Sequence, residues 1–150
     1  MANSYSQVFV HMVFSTKHRE PIIRKEDFAR LNQYVMTLLE EKQCYAVIVG
    51  GVENHLHILF VLDKTVSVSE VAKHVKAVTS KWLKSLSPWY STFLWQDGYA
   101  AFSVSKSLAD RVKNYIANQE QHHHTQSFED EVRYFCKLQG MEVDEKYLFD

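Results

Sequence analysis

The stretch that most constrains the fold runs from residue 44 to residue 62, where two strand patterns follow each other almost directly. Residues 44–52, CYAVIVGGV, are rich in β-branched residues, and residues 55–62, HLHILFVL, form a second apolar run. The glycine pair at 50–51 marks the end of the first strand or a bulge. Only two residues separate the two runs, so they are expected to pair as an antiparallel hairpin.

Hydrophobic periodicity and turn signals predict the remaining elements. Ser67 followed by Glu70 forms a capping-box pattern at the start of one helix, and the Leu-Ser-Pro sequence at 86–88 ends it. The Asp-Gly pair at 97–98 indicates a hairpin turn, and Ser107 is the expected cap of the next helix. The other predicted elements are a strand at 5–16, a helix at 26–42, two strands within 92–105, and helices at 108–121 and about 127–139.

This order of elements predicts an α+β fold, with a mainly antiparallel sheet of about five strands and helices packed on it. Its beginning resembles the ferredoxin-like split βαβ arrangement. A length of 150 residues favours a single domain over 1–150, with an acidic C-terminal helix and tail from about residue 127. The fold by itself does not define a function, because it carries enzymes, RNA-binding proteins and metal carriers alike.

Charge and cysteine content exclude several classes of protein. The formal net charge of −1 argues against a polycation that coats nucleic acid, although residues 71–96 contain lysines and no acid. These lysines form either a local basic surface or an ordinary solvated helix face. The two cysteines are far apart, which does not fit a disulfide framework or a zinc knuckle. We see no secretory signal and no apolar run of membrane-spanning length, so a cytoplasmic protein without membrane contact is expected.

His55 and His57 are the first candidates for a functional site. Side chains alternate along a strand, so these two imidazoles point to one face of the sheet while Leu56 and Ile58 point to the other. A neutral imidazole is a frequent metal ligand. The alternative is a pair of surface histidines on a half-exposed strand, and the spacing alone does not decide between the two.

Tyr115 and Gln119 are the second pair of candidates. They lie four residues apart in a predicted helix and therefore share one of its faces. The Gln119 amide can supply a neutral oxygen ligand, and the Tyr115 phenol can supply a nucleophile. The alternative is that Tyr115 is a core tyrosine of an amphipathic helix and Gln119 faces the solvent.

Together these residues carry a specific resemblance. His-hydrophobic-His on a central strand, followed by Tyr-x-x-x-Gln on a late helix, resembles the small single-tyrosine HUH transposases of bacterial and archaeal insertion sequences. The similarity extends over nearly the whole chain, from VFSTKHREPII through ENHLHILF and LWQDGYAAFSVSKS to VKNYIANQEQHH. One departure is Asn54, where the family pattern has an aspartate before the first histidine.

The resemblance implies metal-dependent strand transfer of single-stranded DNA with hairpin ends. Tyr115 would attack a backbone phosphate and form a 5′-phosphotyrosine link, which a 3′-hydroxyl later reverses. His55, His57 and Gln119 would hold one divalent cation and, as neutral donors, would leave its charge intact. Ligand softness favours Mn, Co, Ni or Zn, whereas the family implies Mg²⁺ or Mn²⁺.

The resemblance also implies a homodimer, in which the active sites can be composite. Tyr115 is then expected to lie far from His55 within one chain. Candidate DNA contacts are basic residues in the loop after the first strand and along the second helix: Lys17, His18, Arg19, Lys73, Lys76 and Lys84. Two alternatives remain open, namely a non-catalytic nucleic-acid-binding module on the same fold and a phosphodiesterase that uses water instead of tyrosine.

Overall fold

The structure is a computed structural model that describes residues 4–119 and 126–145. Those residues contain four strands and four longer helices. The strands are β1 (Val8–Ser15), β2 (Tyr45–Val52), β3 (His55–Leu62) and β4 (Ala100–Val104). The helices are α1 (Phe28–Glu41), α2 (Val68–Leu86), α3 (Ala109–Ala117) and α4 (Phe128–Leu138). No helix in the described ranges has both the length and the apolar character of a membrane span.

The strands form one antiparallel sheet in the order β2-β3-β1-β4. The predicted hairpin of β2 and β3 is present, with Val52 opposite His55 at its closed end. Strands β3 and β1 therefore occupy the centre, where the sheet is covered on both faces. The predicted α+β fold with a mainly antiparallel sheet is confirmed.

The prediction of two strands and a hairpin within 92–105 is wrong, because only β4 forms there. Trp95 makes an isolated bridge to Thr16, while β4 pairs with β1 from Ala100 onward. Both contacts lie along the same edge of β1, so the chain continues past the Asp-Gly pair without reversing. The Gln96 side chain explains the break, because its Oε1 accepts the Ser15 backbone N–H at 2.9 Å in place of a strand carbonyl.

Helices cover the two faces of the sheet differently. Helices α1 and α2 pack on the face that carries Leu56, Ile58 and Phe60, and together they form the larger apolar core. Helices α3 and α4 pack on the opposite face, in two smaller apolar clusters. His55 and His57 point to this second face, so the packing of α3 and α4 determines what surrounds them.

The start of α2 agrees with the sequence prediction and the start of α3 does not. Ser67 and Glu70 form a complete capping box. Ser107 does not cap α3, because its Oγ lies 3.1 Å from the Ser105 Oγ and Leu108 occupies the cap position. The chain enters α3 through a short 3-10 turn, Lys106–Leu108, which begins before Ser107. The predicted helix over 108–121 is too long, because α3 ends at Ala117 with Asn118 as its C-cap; position 121 itself lies outside the described residues.

Helix α4 forms close to its predicted bounds. The Ser127 side chain caps it by accepting the Asp130 backbone N–H at 3.1 Å. The chain leaves it at Gly140, whose φ of 68° suits glycine. Phe128, Val132 and Cys136 form a buried stripe that attaches the helix to the sheet.

Gly50 controls how closely α3 approaches the sheet. A Cβ at this position would lie 2.9 Å from both Cγ2 and the carbonyl oxygen of Ile116 on α3. We expect Gly50→Ala to lower the free energy of unfolding by about 1–3 kcal/mol, because the backbone of α3 must move. Urea denaturation would measure the change. Gly98→Ala is the matched control, since its Cβ would meet only Gln96 Nε2 at 3.9 Å, and equal effects in both variants would contradict the prediction.

Candidate metal and tyrosine site

His55 and His57 are fully buried beneath α3 and α4. Both side chains have 0% exposure, so the alternative of two surface histidines is wrong. Their ring centroids lie 5.2 Å apart on the same face of β3. Burial of two imidazoles side by side requires polar partners, because an unpaired buried polar group costs free energy.

Glu131 is the main partner of the two histidines, and the sequence analysis missed it. Its Oε2 lies 2.8 Å from His57 Nε2 and 3.5 Å from His55 Nε2. One ligand atom from each of the three residues falls within 4.8 Å of the others, so this buried group could hold a metal ion. A signal was present, because Glu131 lies on the apolar stripe of α4 between Phe128 and Val132, where a solvated acid is not expected.

The carboxylate corrects the charge argument made from the sequence. A set of three neutral donors would leave the full double charge of a divalent cation, whereas Glu131 offsets one unit of it. Burial opposes ionisation of Glu131, but its interactions with the His55 and His57 rings outweigh it and hold the pKa of this carboxyl well below its usual range. The group is therefore an anion at neutral pH.

Gln119 lies in the same buried space and is not solvent-facing. Its side chain is 2% exposed, and its Nε2 donates to Glu131 Oε1 at 2.6 Å. The same nitrogen lies 3.4 Å from His55 Nε2. The Gln119 Oε1 is buried and has no hydrogen-bond partner among the described residues. An unsatisfied buried oxygen beside two imidazoles and a carboxylate fits the ligand set of a cation, so the donor set is chemically suited to a metal.

Tyr115 lies four residues before Gln119 in the chain and packs directly on this group of buried side chains. Its ring centroid lies 5.8 Å from that of His57 and 5.4 Å from that of Phe135. The expectation that the tyrosine lies far from the histidines within one chain is therefore wrong for this structure. Burial, together with the negative charge of Glu131, raises the pKa of the Tyr115 phenol well above its usual range.

Two further residues contact Nδ1 of His57 and His55, the ring nitrogen that does not face Glu131. His11 Nε2 lies 2.8 Å from His57 Nδ1, and Asn54 Oδ1 lies 2.7 Å from His55 Nδ1. His11 is 1% exposed. Burial is the main cause, and the electrostatic effect of His57 the second, that lowers the pKa of His11 well below its ordinary value. The sequence analysis did not identify His11, although it lies in a strand pattern and faces the same side as the histidine pair.

The predicted DNA-contacting residues fall into two separate groups. Lys17, His18 and Arg19 form a short turn after β1, and Arg19 lies 3.7 Å from Glu129 of α4. This turn therefore reaches the helix that covers the histidines. The lysines of α2 lie on the other layer of the structure, beyond the sheet.

The α2 lysines differ in how free they are to contact DNA. Lys73 and Lys84 are exposed. Lys76 is half-buried, and its Nζ donates to the carbonyl oxygens of Asp97 and Gly98 at 3.0 and 2.8 Å. Burial lowers the pKa of Lys76. Lys76 thus has a structural partner in the irregular segment before β4.

A histidine pair on a central strand, with a tyrosine helix packed on it, defines the chain as an HUH-type protein. Comparison with known sequence families identifies the chain more narrowly than the fold and site do. The family model described as "Transposase IS200 like" matches residues 4–119. The chain belongs to this family of single-tyrosine transposases. No curated protein sequence matches it.

Two solved structures share the fold. A "putative transposase" from Deinococcus radiodurans R1 aligns with a TM-score of 0.63 and 18% identity, over 79% of this chain and 95% of the other. A REP-associated tyrosine transposase bound to a REP hairpin aligns with a TM-score of 0.57 and 10% identity, over 82% of this chain and 72% of the other. At identities of 18% and 10%, the likeness shows the fold alone.

Proposed function

We propose that this transposase cleaves and rejoins single-stranded DNA at insertion-sequence ends, with Tyr115 as the nucleophile. The observation that carries the proposal is the packing of Tyr115 against His57, beside the buried His55–His57–Glu131 group. A nucleophile must lie within reach of the groups that stabilise the reacting phosphate. Tyr115 and these candidate groups come together within one chain.

The proposed reaction exchanges one phosphoester bond for another. The Tyr115 oxygen bonds to phosphorus while the bond from phosphorus to the 3′ oxygen breaks, and the phenolic proton is balanced by protonation of that oxygen. The product is a 5′-phosphotyrosine link and a free 3′-hydroxyl. A 3′-hydroxyl reverses the step and rejoins the DNA without an external energy source.

His55, His57, Glu131 and Gln119 are the residues that would hold one divalent cation, Mg²⁺ or Mn²⁺. When bound, the cation would polarise the scissile phosphate and stabilise negative charge on the leaving oxygen. Burial and, after it, the charge of Glu131 raise the pKa of Tyr115. Any interaction that draws the Glu131 carboxylate away from the phenol therefore makes the phenol easier to deprotonate.

The proposed substrate is single-stranded DNA with hairpin ends. The REP-associated tyrosine transposase that shares this fold is bound to a REP hairpin, which supports the same type of ligand here. Among the basic residues, the turn Lys17–Arg19 is the best placed, because it adjoins α4 at the site. We also propose Lys73 and Lys84 as outer phosphate contacts, and Lys76 as a contact only if it leaves its carbonyl partners.

The proposed molecule is a homodimer of single-domain chains. Helix α4 belongs to the same domain as the sheet, because its buried stripe packs against Val13 and Phe102. Since Tyr115 contacts His57 of its own chain, the proposed site is assembled within each subunit in this arrangement.

The experiment that tests the function is a denaturing gel with labelled single-stranded DNA from the ends of the element. With Mn²⁺ or Mg²⁺ we expect a labelled protein band that survives denaturation, and mass spectrometry should place the DNA on the Tyr115 peptide. EDTA and His57→Ala should remove the band. Cleavage without a covalent band would point to hydrolysis by water, and binding without cleavage would point to a nucleic-acid-binding module.

A further inference from the structure

We infer that Asn54 and His11 are positioning residues that hold Nδ1 of the two site histidines: Asn54 fixes the tautomer of His55, and His11 pairs with His57 in either tautomer, so that both Nε2 atoms can act as metal ligands. The inference rests on the proposed metal site and extends it to two residues that would not touch the ion. A metal-binding histidine commonly donates its other ring N–H to a fixed partner, which sets the tautomer and the orientation of the ring.

Asn54 determines the tautomer of His55. The Asn54 Oδ1 lies 2.7 Å from His55 Nδ1, and an amide oxygen only accepts hydrogen bonds. The orientation of the amide is supported by its other end, since Asn54 Nδ2 lies 3.5 Å from the Arg19 carbonyl oxygen. His55 Nδ1 therefore carries the hydrogen, and the Nε2 lone pair is directed towards Glu131 and Gln119.

The backbone holds Asn54 in place as well. Its carbonyl oxygen accepts the Thr16 backbone N–H at 2.9 Å and the Thr16 hydroxyl at 3.3 Å. The turn between β2 and β3 is thereby tied to the end of β1. Asn54 replaces the aspartate expected from the family resemblance and retains what this position needs, which is an oxygen that accepts from Nδ1.

His11 plays the corresponding part for His57. The two rings are stacked with centroids 5.1 Å apart and planes inclined by 23°, and His11 Nε2 lies 2.8 Å from His57 Nδ1. Phe135 packs edge-on against His11 at 4.8 Å and fixes the ring from the other side. Because this space is buried, the hydrogen between the two nitrogens has no competing water partner.

A histidine at position 11 can pair with either tautomer of His57, because its ring nitrogen can donate or accept a hydrogen bond. Without a bound cation, His11 Nε2–H would donate to His57 Nδ1, and His57 Nε2–H would donate to Glu131 Oε2, which lies 2.8 Å away. For His57 Nε2 to act as a ligand, both rings must change tautomer, so that His57 Nδ1–H donates to His11 Nε2. Glutamine can also accept or donate at this place, whereas leucine can do neither.

The test is the affinity for Mn²⁺ alone, measured at one pH by electron paramagnetic resonance of free Mn²⁺. We expect His11→Leu and Asn54→Leu each to weaken binding by about 10–100-fold. His11→Gln and Asn54→Asp should bind within about threefold of the wild type, because they retain an acceptor. Phe102→Leu is the packing control, since Phe102 adjoins His11 at 6.1 Å without a hydrogen bond.

A second readout separates positioning from folding. Thermal melting in EDTA checks that each variant folds, and ¹⁵N-detected histidine spectra report the tautomer of the metal-free protein. We expect the Nδ1–H form for His55 in the wild type and its loss in Asn54→Leu. Unchanged Mn²⁺ affinity in the folded leucine variants, or equal weakening in His11→Gln and His11→Leu, would overturn the inference.

The outcomes distinguish this inference from the proposed function. A wild type that does not bind Mn²⁺ overturns the metal site and the inference together. A wild type that binds Mn²⁺ and forms the DNA adduct, with leucine variants that bind equally well, overturns the inference and leaves the function intact.

Discussion

Tyr115→Phe is expected to reduce the covalent protein–DNA adduct by about a thousandfold or more, because it removes the attacking oxygen and no other heavy atom. The ring that packs on His57 and Phe135 is retained, so the fold and the Mn²⁺ affinity should stay close to those of the wild type. The adduct is measured on a denaturing gel under single-turnover conditions. Mn²⁺ affinity is measured on the same preparation.

Tyr134→Phe provides the matched control for this experiment. Tyr134 lies on α4, is 50% exposed and makes ring contact with Phe135. The same loss of one hydroxyl should leave its adduct yield within about twofold of the wild type, as for most surface changes. An adduct that persists in Tyr115→Phe would identify another nucleophile, and loss in both variants would indicate a general disturbance of the packing between α3 and α4.

Glu131→Ala is expected to lower the free energy of unfolding of the metal-free protein by about 2–4 kcal/mol. The carboxylate accepts from Gln119 Nε2 at 2.6 Å and lies 2.8 Å from His57 Nε2, and all three side chains are at most 2% exposed. Its removal leaves these donors without an acceptor and leaves a cavity beneath α4. Urea denaturation in EDTA measures the loss without any contribution from bound metal.

Glu129→Ala is the control from the same helix. Glu129 forms a partly exposed ion pair with Arg19 at 3.7 Å, so its replacement should cost at most about 1 kcal/mol. Glu131→Gln preserves the volume and should recover part of the stability while still weakening Mn²⁺ binding. If Glu131→Ala were as stable as Glu129→Ala, α4 would not pack on the histidines in solution.

The features predicted well from the sequence depend on short-range patterns. The alternation of β3 placed His55 and His57 on one face of the sheet. Tyr115 and Gln119 both lie beside these histidines, although α3 ends at Ala117 and Gln119 lies beyond it. The capping box at Ser67 and the hairpin of β2 and β3 likewise involve neighbouring residues. Such patterns persist because the local backbone geometry imposes them whatever packs above.

The features that were missed depend on tertiary contacts. Gln96 prevents a hairpin because its side chain reaches Ser15, 81 residues away in the chain. Glu131 enters the site from a helix 74 residues after His57, and His11 enters from a strand 46 residues before it. Periodicity indicates that such residues face inwards, but their partners follow only from the order of strands and the packing of helices.

The covering of the site by α4 has a kinetic consequence. His55, His57 and Glu131 have no exposed surface, and the Tyr115 hydroxyl is also buried. A cation or a DNA phosphate can reach them only in a rarer, open arrangement of the helices. The apparent dissociation constant then equals the intrinsic one divided by the open fraction. If opening is slower than encounter, the association rate should level off at the opening rate as ligand concentration rises.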